Sequence, residues 1–207
     1  YIMDASTGEI ITRLAEGNRS PNFEELNILT PGLTWSPDGS KIAVAALSHG
    51  YDVVYIFDVE EEDYITLPIK MDGVQSVSWS WDGKYLAFIG QTPRQTDIYT
   101  YNLETKEIIN LTNEIFTDKD PNWSYDGKTI YFSSDRNSYK KIDDAPSGFK
   151  IYKHDYSQTE IYALDLETNQ VKRLTDMPTS NEINPIVSSD GSQILFISDV
   201  NGINNIF

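Results

Sequence analysis

Trp79-Ser80-Trp81-Asp82-Gly83 runs directly into Lys84 and the apolar stretch Tyr85-Leu86-Ala87-Phe88, and the same phrase returns three more times in the 207-residue chain. Upstream it reads Trp35-Ser36-Pro37-Asp38-Gly39, downstream Trp123-Ser124-Tyr125-Asp126-Gly127, and near the end, in a worn form, Val187-Ser188-Ser189-Asp190-Gly191. The Asp-Gly pairs stand 44, 44 and 64 residues apart. Self-similarity at a period of about 40–45 residues with strand-like content marks a β-propeller, in which each repeat is one four-stranded blade.

Working outward from the second copy gives the blade. Residues 75–79 alternate polar and apolar and make an inner strand, A. Ser80-Trp81-Asp82-Gly83 has the residue order of a type I turn, with glycine taking the positive φ that closes a hairpin. Pro37 suits the second position of that turn in the first copy. Residues 84–89 are nearly continuous in apolar character, as expected of a strand, B, covered on both faces. Residues 97–102 form strand C and 108–111 the outer strand D. The C–turn–D unit recurs at 55–67, at 162–174 and at the chain start, 1–14. The expected fold is therefore all-β, a propeller region of four-stranded antiparallel blades spanning 1–207, with about four repeats present. Outer strands of one blade fall in 1–17, blades in 30–73, 74–118 and 119–180, and the start of another in 181–207. Trp35, Trp79 and Trp123 are expected to pack between blades, and a single helical turn is expected at 22–29.

Phe207 falls in phase with Tyr1, Tyr55, Tyr99 and Tyr162. Two arrangements accommodate this: a stretch of a propeller of about six to eight blades, or a four-blade ring closed by a strand built from both ends. The first is favoured, because four-blade rings are uncommon and the sequence reads as cut within a strand, where a natural end would leave backbone groups unpaired.

Composition narrows function by exclusion. Against 16 basic side chains stand 32 acidic ones, a formal net charge of −16. Such a surface repels nucleic-acid phosphates and anionic headgroups, and would draw a basic protein patch or a cation. A cation in the central channel is compatible with so acidic a propeller. The absence of cysteine rules out thiol catalysis, disulfides and thiolate metal sites. No apolar stretch approaches the roughly 18–20 residues that span a bilayer, and the opening Tyr1-Ile2-Met3-Asp4 reads as strand, not leader. A hydrolase built on Ser, His and Asp needs a histidine base near its nucleophile, and the only histidines are His49 and His154. No nucleophile elbow, zinc helix motif, phosphate loop or EF-hand spacing accompanies them. His49 reads as a turn residue and His154 as a solvated loop residue. No catalytic residue, metal ligand or cofactor is expected.

Strand parity puts the A–B and C–D turns on one face and the B–C and D–A connections on the other. The first face is short and repetitive; the irregular segments map to the second. These are the D–A connection 18–27 and the B–C loop opened by Ser134-Asp135-Arg136-Asn137. A 20-odd-residue insertion at 138–158 follows and accounts for the 64-residue gap. It is a basic and aromatic island on an acidic chain. Asp135, Arg136, Tyr139, Lys140, Lys141, Phe149, Lys150, Tyr152 and Lys153 are the candidate partner-binding residues. A long loop that needs a reason is often functional; the competing reading is a tolerated insertion that packs on its own aromatics.

The stretch Trp35-Ser36-Pro37-Asp38-Gly39-Ser40-Lys41-Ile42-Ala43 resembles the repeat of TolB-type propellers. So do residues 196–207 and the Leu-Thr strand endings at Leu111-Thr112 and Leu174-Thr175. The resemblance covers essentially the whole chain. It implies a bacterial periplasmic or secreted protein whose propeller is a non-enzymatic docking platform for a protein partner. Similar repeats also form the accessory propeller of prolyl oligopeptidase-family serine peptidases, the alternative reading, in which the chemistry lies in a separate domain.

Overall fold

The computed structural model describes residues 1–13, 25–26, 32–61, 63–69, 71–93, 95–137, 139 and 142–207. They form consecutive antiparallel sheets, each a meander of neighbouring strands. β1 (Ile2–Met3) pairs with β2 (Ile10–Thr12). β3 (Glu25–Leu26) and β4 (Leu33–Trp35) both pair with β5 (Lys41–Ser48), which continues through β6 (Tyr51–Asp58) to β7 (Tyr64–Thr66). The next blade is β8 (Gly73–Trp79), β9 (Tyr85–Gln91), β10 (Thr96–Asn102) and β11 (Ile108–Asn110). The third is β12 (Asp118–Trp123), β13 (Thr129–Ser134), β14 (Glu160–Asp165) and β15 (Gln170–Arg173). β16 (Glu182–Val187), β17 (Ile194–Ser198) and β18 (Asn205–Ile206) close the series. The arrangement is a partial β-propeller. Most of the expected helical turn at 22–29 lies outside the described residues; its described pair, Glu25 and Leu26, is strand, opposite Leu47 and Ala46 of β5.

One hydrogen-bond circuit closes all four Ser-x-Asp-Gly turns. In each, the Ser hydroxyl donates to the Asp carboxylate and accepts an N–H five residues on: Ser36 to Asp38 at 2.6 Å and from Lys41 at 2.8 Å, Ser80 to Asp82 at 2.7 Å and from Tyr85 at 2.9 Å. Ser124 and Ser188 repeat it with Asp126 and Asp190. The glycines sit at φ +70 to +75°, a conformation that side chains with a Cβ resist. Bonding from the Ser hydroxyl holds the Asp38 and Asp190 carboxyls down at about 2.

A blade's apolar period-two pattern feeds two different neighbours. Leu86 and Phe88 of β9 join Ala43, Ala45, Val54, Ile56 and Trp79 in the seam with the preceding blade. Their alternates Ala87 and Ile89 join Trp123, Ile130, Phe132 and Tyr162 in the seam with the next. The Trp123 indole crosses that second seam: Nε1 donates to the Ser78 carbonyl at 3.2 Å and its ring lies 6.1 Å from that of Tyr85. Trp79 and Trp123 are buried as expected, but Trp35 is 45% exposed. The sheet it would face, β1–β2, has only two strands among the described residues.

The innermost strands share an irregularity. Ser76, Asp120 and Asn184 occupy the same phase of the repeat, all with φ near +50°, and the ladder slips there in β8, β12 and β16. A bulge frees the next residue from donating to the ladder, which accommodates Pro121 and Pro185 inside strands.

Trp123→Ala is expected to lower the unfolding free energy by about 3–5 kcal/mol, because a seam cavity replaces the ring. Trp35→Ala is expected to cost roughly 1 kcal/mol; urea denaturation of the two variants side by side measures the contrast.

Candidate protein-docking site

The insertion leaves the third blade at the end of β13 and returns at the start of β14. Its base is a buried ion pair. The Arg136 Nη2 donates to both oxygens of Asp118, at 2.6 and 2.8 Å, and its Nε to the Ser134 hydroxyl at 3.0 Å. Arg136 and Asp118 are 1% and 0% exposed. The guanidinium lies 5.1 Å from the Phe132 ring centre, 5.6 Å from Tyr162 and 5.8 Å from Phe116, so cation–π attraction supplements the carboxylate. Tyr162 donates its hydroxyl to the Asn137 carbonyl, and burial pushes that phenol above its usual range.

Asp135 also turns inward. Its Oδ1 accepts the Thr117 N–H at 2.9 Å, and its carbonyl lies 2.6 Å from His154 Nε2, which must therefore carry the proton. Burial raises the Asp135 carboxyl above the ordinary aspartate range, against the opposing effects of the Thr117 bonds and the His154 ring. Asp135 and Arg136, expected among the partner-binding residues, are each 1% exposed, and their charged groups are spent on the base of the loop. His154 is corrected as well. Its side chain is 4% exposed, with the Phe116, Phe149 and Tyr156 rings at 5.5, 5.8 and 5.3 Å.

Above this base the insertion folds on its own aromatics. Tyr139 stacks on Phe116 at 6.3 Å and Phe149 meets Tyr139 edge-on at 5.4 Å. Two single-turn 3-10 helices, Ile142–Asp144 and Ile151–Lys153, carry the chain over the top. Tyr139 and Phe149 are half-buried in this small core, while Lys150, Tyr152 and Lys153 point outward. Tyr152 is 70% exposed, with the Lys150 Nζ 5.7 Å from its ring centre. Lys140 and Lys141 lie outside the described residues, as does most of the 18–27 connection.

A buried acidic pair, Glu160 and Glu182, was not anticipated. Glu160 opens β14 and Glu182 opens β16, the same phase positions held by Asp97 in β10 and Asp118 in β12. A charged residue at the head of an apolar strand was the available signal. Glu160 accepts from the Arg173 guanidinium and, at 2.9 Å, from the Met177 N–H. Glu182 accepts from the Ser180 and Ser198 hydroxyls, both at 2.7 Å. Burial, and then the adjoining Glu160 carboxylate, raise the Glu182 carboxyl above the usual glutamate range. Among the described residues no three His, Cys, Asp or Glu side chains converge as metal donors, and no helix is long and apolar enough to cross a membrane.

Repeat, blades and turn circuit together define an all-β propeller module. The TolB beta propeller domain family matches residues 17–147, and the chain belongs to that family. No curated protein matches the chain by sequence. Among solved structures, TolB from Acinetobacter baumannii superposes with a TM-score of 0.67 at 25% identity, over 87% of this chain and 43% of that one. A protein assigned as TolB from Agrobacterium tumefaciens gives 0.66 at 23% identity, over 81% of this chain and 53% of that one. An oligogalacturonate lyase in complex with manganese shares the fold, with a TM-score of 0.60 at 16% identity, over 94% of this chain and 52% of that one. The chain thus spans about half the length, or less, of these structures.

Two outcomes are expected. Arg136→Met should destabilise the chain by about 3–5 kcal/mol, since Asp118 is left charged and unpaired, and Asp118→Leu added to it should recover part of the loss. Urea denaturation of the single and double variants measures this. Glu182→Gln tests the acidic pair. A carboxyl raised by folding stabilises fully below its unfolded value of about 4.3 and loses that contribution as pH rises through the folded value. Unfolding curves of wild type and Glu182→Gln should therefore converge in acid and separate toward neutral pH, with Gln the more stable.

Proposed function

We propose that the chain is a non-enzymatic docking module of a TolB-like propeller in the bacterial envelope or secreted space, and that its partner is a protein. The observation that carries this is the crest of the 138–158 insertion: Lys150, Tyr152 and Lys153 stand outward on a small aromatic core, on a chain of net charge −16. Two lysines beside an exposed tyrosine suit an acidic patch with an apolar centre, the tyrosine supplying contact area and the lysines steering. Tyr139 and Phe149 support the crest from beneath, and Arg136 with Asp118 fixes its base. The charge balance argues against nucleic acid as a partner. The TolB family match supports the docking role. The accessory propeller of a serine peptidase is the competing reading, and a parent protein carrying a serine-nucleophile domain would favour it.

A photo-crosslinking residue placed at Tyr152 of the full parent protein in cells should yield one discrete adduct. Lys150→Glu with Lys153→Glu should remove it, while the same crosslinker at Thr105, on the opposite face, should give none. An adduct indifferent to the lysine reversals, or no adduct at all, would sink the reading.

A further inference from the structure

The second position of the Ser-x-Asp-Gly turn takes no part in the circuit that closes it. Ser, Asp and Gly carry the bonds, so x is free, and a solvated turn favours a small or polar residue there. Ser189 obeys. The other three are Pro37, Trp81 and Tyr125, all exposed, the last two by 49% and 56%. Trp81 and Tyr125 belong to different blades, yet their ring centres are 5.2 Å apart. Two large rings held in contact with each other and with water, where the turn needs neither, call for a reason.

Beside each ring opens a groove along a blade seam. The first, about 390 Å³, has Trp79 in its floor, Pro37, Trp81 and the outer-strand Ile65 in its walls, and the Asp38 and Asp82 carboxylates among its lining. The second, about 410 Å³, repeats the design with Trp123, Tyr125, Ile109, Asp82 and Asp126. Lys41 borders the first groove but is paired with Asp58, and no basic side chain lines the second. Asp82 serves both. Each groove is therefore an apolar and aromatic trough bearing two carboxylates, on the face opposite the insertion.

A side chain complementary to such a trough has a long apolar stem and a flat cationic head. The stem covers tryptophan and isoleucine, the head stacks on an exposed ring and meets a carboxylate. Arginine fits better than lysine, because its guanidinium is planar, weakly hydrated and can bond a carboxylate through two N–H groups. We propose that the two seam grooves form a docking strip for an extended, arginine-bearing segment of a partner protein, one arginine to a groove. The strip arises from the 44-residue repeat itself and is independent of the crest at 138–158. Asp38, held near 2 by its Ser36 bond, stays charged at any pH of interest.

The test is calorimetric titration of the full chain with a blocked alanine peptide carrying two arginines, beside its citrulline counterpart of equal shape and no charge. Saturable binding of the arginine peptide is expected, weakening with salt, and the citrulline peptide should bind about tenfold more weakly or not at all. Trp81→Ala and Tyr125→Ala should each weaken binding about three- to fivefold. Asp82→Asn keeps the Oδ1 that accepts from Ser80 and Lys84, yet should weaken it by about tenfold, because it removes charge from both grooves. Thr105→Ala should bind as wild type does, and near-UV circular dichroism should show every variant folded; Trp81→Leu, which keeps apolar bulk without the ring, should be weakened if Trp81→Ala is not folded. No saturable binding, equal binding of the citrulline peptide, or indifference to Trp81 and Asp82 would overturn the proposal. So would a dimer of the chain, seen by sedimentation, that Trp81→Ala dissolves, since the strip would then be a self-interface.

Discussion

The Trp123 indole, driven from the end of one blade's inner strand onto Ser78 and Tyr85 of the blade before it, expresses the constraint under which the whole chain is built. A twisted four-stranded sheet with apolar residues on both faces cannot bury either of them alone. Each face must find a neighbouring sheet, so β9 sends Leu86 and Phe88 one way and Ala87 and Ile89 the other. The turn that follows the tryptophan must then be tight, because strand B has to return directly beside strand A to cover the next seam. That requirement selects Ser, Asp and Gly and leaves the residue between Ser and Asp unconstrained. Trp35, in the same phase but next to a sheet of two strands among the described residues, is 45% exposed.

The repeat was legible because it is local. The Ser36, Ser80, Ser124 and Ser188 circuits close within six residues, so the amino-acid order alone specifies them. The base of the insertion was not, because its partners meet only after folding. Arg136 looks like a surface residue in Ser134-Asp135-Arg136-Asn137; Asp118 lies 18 residues earlier and reaches it only when β12 and β13 pair. His154 misled in the same way. Its burial depends on Phe116 from the preceding connection as much as on its own loop. The inward Glu160 and Glu182 were overlooked because an acid at a strand head reads as a solvated end, and only the seam makes it an interior position.

Carboxylates consequently do opposite work at the two ends of the strands. At the turn end, Asp38 and Asp190 sit in water, held by local hydroxyl and amide donors, and their affinity for protons falls. At the loop end, Asp135 and Glu182 are enclosed where blades meet, desolvation dominates, and their affinity for protons rises. The turn-end acids thus give the chain a permanently charged rim. The loop-end acids fasten the strands of each blade head through Arg136, Arg173 and serine hydroxyls, at a cost in desolvation that those partners offset.

This division bears on where a propeller of this kind can acquire binding capacity. A position whose side chain closes the turn or fills the seam cannot change without loss of the blade. Ser80, Gly83 and Trp79 are of that sort, and Asp82 yields only to a residue that keeps its accepting oxygen. A position framed by the repeat but unused by it can change freely, and the frame presents it at a fixed place in every blade. The x position varies from proline through tryptophan and tyrosine to serine. The bulge position, by contrast, keeps its backbone geometry within a few degrees while its side chain is used: the Asp120 carboxylate accepts from the Ser133 hydroxyl and the Asn184 N–H. The 138–158 insertion is a third case, an addition that the frame tolerates because Arg136 and Tyr162 seal the sheet beneath it. Regular repeats therefore do not mark a functionally empty face: their constancy is what lets a change at one framed residue alter the surface without disturbing the fold.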